Sequence, residues 1–256
     1  MMVKYFITFW MFLLGASIGS FLNVVIYRLP RGESIVYPPS RCPKCGHKLG
    51  AKDLVPVFSY IWLRGRCRYC GEKISARYIM VETLLGLSFS ILFWFFGFSL
   101  FTIKSALFIS LLIPIFFIDL DHMIIPDIIS IPGTILGIMM AFLGGNLKDG
   151  ILGAILSGII LLLIYLFALI IYKQEGMGQG DIKLGLLLGS FLGIKLGVFA
   201  IFLGFLIGGI FSIIILLKKE KNLKDAIPFG PFLVVGGIIS YFWGNQIIDL
   251  YIKFFL

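Results

Sequence analysis

Charge is scarce in this sequence. Only 14% of its 256 residues are charged and just two are histidines, whereas 59% are hydrophobic. Water-soluble domains carry about a quarter charged residues, and disordered chains are far less apolar than this one. Both classes are therefore excluded. Acidic residues are especially few, 13 against 22 lysines and arginines, which leaves a formal net charge of +9.

The apolar residues are gathered into long runs that contain almost no charge. A helix of about 20 such residues crosses the hydrocarbon core of a bilayer, and the runs lack the alternation of a membrane β-barrel. We therefore predict an all-α polytopic membrane protein with about eight transmembrane helices. The predicted segments are 5–27, 78–98, 100–118, 127–145, 150–172, 182–194, 196–217 and 228–245. The segment 182–194 is short, and we expect a tilted or partly embedded helix there.

The distribution of lysine and arginine predicts the orientation of the chain. If the N-terminus lies outside, the inward connections are 28–77, 119–127, 173–183 and 218–227, and they hold 17 of the 22 basic residues. Basic loops face the cytoplasm. We therefore expect a multi-pass membrane protein, in contact with lipids, whose basic loops lie in the cytoplasm. The positive charge is then a topology signal, and we expect no nucleic-acid partner.

All four cysteines lie in the only long hydrophilic stretch, 28–77. They form two Cys-x-x-Cys pairs, each followed by a similar phrase: Cys42 with Cys45, and Cys67 with Cys70. Two such pairs present four thiolates to one tetrahedral ion, and a site with four protein ligands is structural. The sequence therefore predicts a zinc-ribbon-like cytoplasmic loop. The alternative is a pair of disulfides, which a reducing cytoplasm disfavours.

Four acids lie in or near the apolar runs, where each charge costs roughly 2.5–3.5 kcal/mol on insertion. Asp119 and Asp121 are two residues apart, so only one of them can face a given site on a continuing helix. Asp127 follows Pro126, where a carboxylate favours the start of the next helix. Asp181 lies in Gly178-Gln179-Gly180-Asp181-Ile182-Lys183, whose glycines allow close approach and positive φ.

Asp119 and Asp181 both fall at predicted cytoplasmic ends of spans, so they can meet in space. Two carboxyl groups that share one proton can perform acid–base hydrolysis, because the ionised member accepts a proton while the other donates a hydrogen bond. Two other interpretations stay open. The acids can serve as helix caps and ion-pair partners of Lys183 or loop arginines, or they can couple ion movement in a transporter.

Several blocks of the sequence together resemble a known family. They are Gly19 to Pro30, the two cysteine pairs, Pro56 to Cys67, Arg77-Tyr78 before Val81-Glu82, the phrase Asp119 to Asp127, and Gly178 to Lys183. In this order they resemble the type IV prepilin peptidases. These are bifunctional leader peptidases and N-methyltransferases of the GxGD intramembrane aspartyl protease class.

The resemblance implies a function and a set of site residues. Asp119 and Asp181 are the implied catalytic pair, supported by Gly178, Gly180, Lys183, Asp121 and Asp127. The implied substrate is a prepilin or pseudopilin with a basic leader and an apolar helix, cleaved at the cytoplasmic face and then methylated with S-adenosylmethionine. A binding-only pilus assembly factor is the further alternative.

The resemblance also suggests a division of labour along the chain. Residues 1–82 carry the first membrane helix and the cysteine loop and are expected to serve methyl transfer, and residues 83–256 form the membrane aspartyl peptidase domain. Asn23 and Glu82 are candidates for methyl transfer or for binding the new amine. For Glu82, an ion pair with Arg77 is the competing interpretation. The oligomeric state is open.

Overall fold

Apolar helices build nearly all of the fold. The computed structural model describes residues 1–172, 178–217 and 227–255. Within these ranges there are no β-strands beyond two isolated bridges, which confirms the all-α prediction. The helices are α1 (Met2–Arg28), α2 (Phe58–Trp62), α3 (Ala76–Phe96), α4 (Leu100–His122), α5 (Asp127–Leu143), α6 (Leu147–Tyr172), α7 (Gln179–Leu217) and α8 (Gly230–Phe255). Two short 3-10 helices, Leu29–Arg31 and Ala51–Asp53, lie between α1 and α2.

Six of these helices are long and apolar enough to cross a membrane: α1, α3, α4, α6, α7 and α8. Helix α5 is apolar but shorter. The protein is therefore a multi-pass membrane protein. The prediction of eight transmembrane helices is not confirmed, because the predicted segments 182–194 and 196–217 both fall within α7 and segment 127–145 corresponds to the short α5.

Helix α7 is broken at Gly193, whose φ of 76° and ψ of −173° are not helical. A β-carbon placed on Gly197 would lie 3.2 Å from the α-carbon of Gly189. In a straight helix these positions are about 12 Å apart along the axis. The chain therefore folds back at Gly193, and the two arms of α7 correspond to the two predicted apolar segments on either side of that residue.

The reversal at Gly193 is held by helix α6. The backbone N–H of Ile194, at the start of the second arm, donates to Oδ1 of Asp149 over 3.1 Å, and Asp149 lies in the first turn of α6. A β-carbon on Gly153 would lie 2.6 Å from the carbonyl oxygen of Gly189. Small residues of this kind let membrane helices approach closely, so α6 and both arms of α7 pack with their backbones nearly in contact.

The chain divides into two compact units, Met1–Pro114 and Ile115–Leu256, with the boundary inside α4. In the first unit α1 and α3 pack closely, since a β-carbon on Gly15 would lie 2.5 Å from the carbonyl oxygen of Leu85. This division describes packing. It does not test the functional division at residue 82, which stays a prediction.

Replacing Gly193 by alanine should destabilise the second unit. The dihedral angles at this position are essentially restricted to glycine, and a residue with a side chain is disfavoured there by about 1–3 kcal/mol. We expect the thermal unfolding midpoint of the purified protein in detergent to fall in Gly193→Ala.

The matched control is Gly209→Ala in the second arm of α7, where an added β-carbon meets nothing within 4 Å. Alanine is favoured over glycine in a helix interior by about 0.5–1 kcal/mol, so this variant should unfold at the same temperature or higher. Equal midpoints for Gly193→Ala and Gly209→Ala would contradict the described reversal.

Candidate functional site

Two buried carboxyl groups lie in the second unit. Asp119, near the end of α4, is 5% exposed, and Asp181, in the first turn of α7, is 4% exposed. The two carboxyls are close enough to interact electrostatically. Both acids that the sequence nominated are thus buried in the same unit, within electrostatic range of each other. Asp121 and Asp127 are exposed, in keeping with the expectation that only one of Asp119 and Asp121 faces a site.

Each buried carboxyl accepts a hydrogen bond from a backbone N–H at the start of a helix. The N–H of Gly230, the first residue of α8, donates to Oδ2 of Asp119 over 2.9 Å. The N–H of Gly178, one residue before α7, donates to Oδ2 of Asp181 over 3.1 Å. The first N–H groups of a helix have no partner within it and favour a negative charge. The backbone therefore fixes one oxygen of each acid.

The second oxygen of Asp181 has no such partner. Its Oδ1 atom is buried and accepts no hydrogen bond from any residue that the structure describes. Nearly all buried polar atoms in folded proteins are hydrogen-bonded, so an exception points to a water molecule, a shared proton or a substrate. The Asp181 carboxyl is thus held by one oxygen, and its other oxygen is available to a ligand or a shared proton.

The two glycines before Asp181 have different structural roles, one in packing and one in hydrogen bonding. A β-carbon on Gly180 would lie 2.8 Å from Cβ of Ile125, so the predicted close approach is found there. The positive φ that glycine allows is not adopted at Gly178 or Gly180. Gly176, a third glycine two residues before Gly178, lies outside the described residues. Gly178 instead contributes its N–H to Asp181.

Lys183 forms an ion pair with an acid other than Asp181. Its Nζ atom lies 2.6 Å from Oδ1 of Asp127, and both side chains are partly exposed. Asp127 is the first residue of α5, as its position after Pro126 predicted. The pair therefore ties the start of α5 to α7 beside the buried acids.

Sequence reasoning did not single out Gly230. A β-carbon at this position would lie 2.6 Å from Oδ2 of Asp119, so the absence of a side chain is what allows the contact. The available signal was the run Pro228-Phe229-Gly230-Pro231, since proline is common where a helix begins. That signal marks a helix start, and nothing in it indicates the partner 111 residues away.

The two methyl-transfer candidates lie in the first unit, where α1 faces α3. Asn23, 3% exposed, donates from Nδ2 to the carbonyl oxygen of Tyr78 over 3.0 Å. Glu82, 7% exposed, accepts hydrogen bonds from the backbone N–H of Val57 over 2.7 Å and from the hydroxyl of Ser20. Both candidates are therefore buried polar groups with partners on neighbouring segments.

The four cysteines form a single cluster. Their sulfur atoms all lie within 4.8 Å of one another, and the thiols are free. Tetrahedral zinc with Zn–S bonds of about 2.3 Å needs sulfur atoms about 3.8 Å apart, and the Sγ atoms of Cys42 and Cys70 are 3.8 Å apart. The thiol set therefore fits a tetrahedral metal ion.

The two Cys-x-x-Cys pairs have the same backbone conformation and the same hydrogen bond. The N–H of Gly46 donates to the carbonyl of Cys42 over 2.9 Å, and the N–H of Gly71 donates to that of Cys67 over 3.0 Å. Both glycines have positive φ, 71° and 72°. Each pair is thus a tight turn that requires glycine after its second cysteine.

The surroundings act differently on two of the thiols, since the pKa of Cys70 is raised while that of Cys42 is lowered. Hydrogen bonding from the backbone N–H of Cys45 lowers the pKa of the Cys42 thiol to about 7, which favours the thiolate form that binds metal. Asp53 braces the second turn, accepting hydrogen bonds from Nε of Arg68 over 2.6 Å and from the hydroxyl of Tyr69 over 3.3 Å. The bond from Arg68 lowers the pKa of Asp53 and keeps it ionised.

Fold and site together define a polytopic membrane protein with a buried carboxyl pair and a four-cysteine centre. Residues 106–213 match the model of the type IV leader peptidase family, and residues 13–96 match that of the bacterial peptidase A24 N-terminal domain. The chain belongs to the type IV leader peptidase family, as the sequence motifs predicted. The first matched region contains Asp119 and Asp181, and the second contains the cysteines, Asn23 and Glu82.

Curated relatives match almost the whole chain. The prepilin leader peptidase/N-methyltransferase of Aeromonas salmonicida is 34% identical over 94% of this chain and 92% of its own. Proteins of the same name from Aeromonas hydrophila and Pseudomonas aeruginosa are 35% and 33% identical, covering 96% and 94% of this chain and 93% and 92% of their own. No solved structure matches the chain.

The cysteine cluster predicts bound metal. We expect elemental analysis of gently purified protein to find about one zinc ion per chain, because four thiolates complete a tetrahedral site. Cys42→Ser and Cys67→Ser should each lose the metal.

His47→Ala is the matched control, since His47 is an exposed loop residue stacked on Tyr69 and should leave the metal content unchanged. Titration of the denatured, unreduced protein should find four reactive thiols. Two disulfides in place of free thiols, or metal retained in both cysteine variants, would contradict the four-cysteine centre.

Proposed function

We propose that this protein cleaves the leader of type IV prepilins or pseudopilins and then methylates the newly exposed N-terminal residue. Family membership and the shared name of the curated relatives support both activities. The observation that carries the peptidase half is the buried pair of Asp119 and Asp181. The same comparisons favour an enzyme over an ion-coupled transporter or a binding-only assembly factor.

The proposed cleavage uses water as the nucleophile. Asp119 and Asp181 share one proton, and the ionised carboxyl takes a proton from water while the protonated one donates a hydrogen bond to the scissile carbonyl. The proton then passes to the leaving amine. The N–H groups of Gly230 and Gly178 support this scheme, because each fixes one oxygen of an acid and so preorganises the pair.

The proposed supporting residues keep the acids in place. The ion pair of Lys183 with Asp127 holds α5 against α7, Gly180 allows Ile125 to approach, and Gly178 donates to Asp181. Asp121, exposed two residues after Asp119, is proposed to support the site and not to react.

The proposed substrate has a short basic leader followed by an apolar helix. Because most lysines and arginines lie in the connections assigned to the inside, the acids would face the cytoplasm. A leader there would reach them from the inner surface of the bacterial inner membrane, and the apolar helix of the substrate would remain in lipid. This orientation is part of the proposal.

Residues 1–82 are proposed to serve methyl transfer, and residues 83–256 peptide cleavage. The methyl donor implied by the relatives' name is S-adenosylmethionine, which would supply the methyl group. Asn23 and Glu82, which are buried polar residues of the first unit, are the proposed methyl-transfer residues. Zinc would be held by Cys42, Cys45, Cys67 and Cys70 and would have a structural role, stabilising a loop with little apolar core.

Asp119→Asn and Asp181→Asn should each abolish leader cleavage, because neither amide can share the proton. Mass spectrometry of a co-expressed prepilin should find only the uncut precursor, whereas a wild-type culture should yield a pilin that lacks its leader and carries an extra methyl group.

Asp249→Asn is the matched control, since Asp249 is an exposed acid near the end of α8, 3.9 Å from Lys195, and should cleave normally. Normal cleavage by Asp119→Asn together with failure of Asp121→Asn would move the catalytic role to Asp121. Normal cleavage by Asp181→Asn would end the two-acid mechanism.

Gly230→Ala should impair cleavage without unfolding the protein. The added methyl group would displace the Asp119 carboxyl, and a misplacement of about 1 Å can lower a rate about a hundredfold. Initial cleavage rates in detergent should show this loss under conditions where the unfolding curve of the variant shows that it is folded. Gly209→Ala serves as the control, and equal cleavage by the two alanine variants would refute the role given to Gly230.

A further inference from the structure

The connection between the two cysteine pairs contains a strained turn. Val57 has a φ of 65° and a ψ of −53°, and the N–H of Phe58 donates to the carbonyl of Pro56 over 2.7 Å. This is a γ-turn with positive φ, which is rare and strained. For a β-branched residue such as valine, a positive φ is a genuine outlier. Strained backbone of this kind persists only where the surroundings hold it, and it is concentrated at functional sites.

A buried carboxyl on α3 holds this turn. The N–H of Val57 donates to Oε2 of Glu82 over 2.7 Å, and both residues are buried, at 8% and 7% exposure. The hydroxyl of Ser20, on α1, bonds to the same carboxyl. One acidic side chain thus joins the strained turn of the loop to both α1 and α3.

The contact lies next to the other methyl-transfer candidate. A β-carbon on Gly19 would lie 2.8 Å from the α-carbon of Glu82, and Asn23 follows Gly19 by about one turn of α1. Asn23 in turn bonds to the carbonyl of Tyr78, about one turn before Glu82 on α3. Asn23 and Glu82 therefore lie about one helical turn apart along the interface between α1 and α3. The Val57 turn is attached to this interface at Glu82.

We propose that Glu82 is a positioning residue for methyl transfer, acting through the hydrogen bond that its carboxyl oxygen accepts from Val57. The residue fixes the connection between the two cysteine pairs on the α1–α3 pair beside Asn23. It does not hold the substrate amine by its charge. This inference rests on the proposed N-methyltransferase function.

The two roles of Glu82 make opposite demands on its chemistry. A group that holds an ammonium ion by charge must be ionised, and glutamine cannot replace it. A group that accepts a hydrogen bond from a backbone N–H needs only an oxygen in the same place, which the glutamine amide supplies. The glutamine variant therefore separates a positioning role from a charge role, and alanine removes both.

The experiment compares Glu82→Gln, Glu82→Ala and the wild type, each with a co-expressed prepilin and with purified enzyme, a leader-free pilin peptide and S-adenosylmethionine. Mass spectrometry reports cleavage and methylation separately. All three proteins should cleave alike. Methylation rates should be similar for wild type and Glu82→Gln and about a hundredfold lower for Glu82→Ala, the scale expected when a reacting group is misplaced by about 1 Å.

Glu33→Ala is the matched control, since Glu33 is an exposed acid in the same loop and should methylate as the wild type does. A second variant tests the strain directly. Because glycine adopts positive φ without penalty, Val57→Gly should restore part of the methylation lost in Glu82→Ala when the two changes are combined.

Three results would overturn the inference. They are loss of methylation in Glu82→Gln equal to that in Glu82→Ala, normal methylation in Glu82→Ala, and no recovery in the double variant. A wild-type enzyme that cleaves prepilin but never methylates the product would instead overturn the proposed methyltransferase function. The methyltransferase function is tested by the wild type alone, and the role of Glu82 is tested by comparing the variants. Failure of one proposal can therefore be distinguished from failure of the other.

Discussion

The carboxyl groups of Asp119 and Asp181 are buried among apolar helices, where an ionised carboxylate has almost no water to solvate it. The chain compensates with its own backbone, because the N–H groups of Gly230 and Gly178 at two helix starts point at these acids. Helix beginnings are the only places where apolar helices still have unbonded N–H groups to offer. The placement of the acid pair thus follows from where α7 and α8 begin, and glycine at position 230 follows from the room that Asp119 needs.

The same interaction recurs elsewhere, and it shows how a chain with few acids uses them. Asp149 accepts the N–H of Ile194 at the start of the second arm of α7, and Glu82 accepts the N–H of Val57 at a strained turn. In each case a side-chain carboxyl from one segment fixes the backbone of another where helical bonding is interrupted. Glu82 is buried, so its bond to Val57 has few competitors and a single acid can define where two segments meet, whereas the bond to Asp149 is exposed.

Local patterns predicted local structure, and non-local contacts escaped prediction. The two cysteine pairs with their glycines specify the two tight turns by sequence alone, since each turn closes within a few residues. The apolar runs likewise predicted the helices. The predicted segments 182–194 and 196–217 also divide the chain next to Gly193, but apolar composition could not reveal that Asp149 of α6 holds the reversal there. The partners of Asp119 and Glu82 lie 111 and 25 residues away, and no spacing rule connects such positions.

The two proposed reactions have conflicting requirements, which explains why one chain would use different residues for each. Hydrolysis needs water held between acids that exchange a proton. Methyl transfer needs a neutral amine as nucleophile, since a protonated amine has no lone pair to donate, and a nearby free carboxylate would favour the protonated form. A carboxyl already engaged by a backbone N–H and a hydroxyl, as Glu82 is, is a weaker partner for such an ammonium ion. In the proposed scheme, the Glu82 carboxyl is therefore occupied by the fold itself, while Asp181 of the proposed peptidase pair keeps Oδ1 without a hydrogen bond from the described residues.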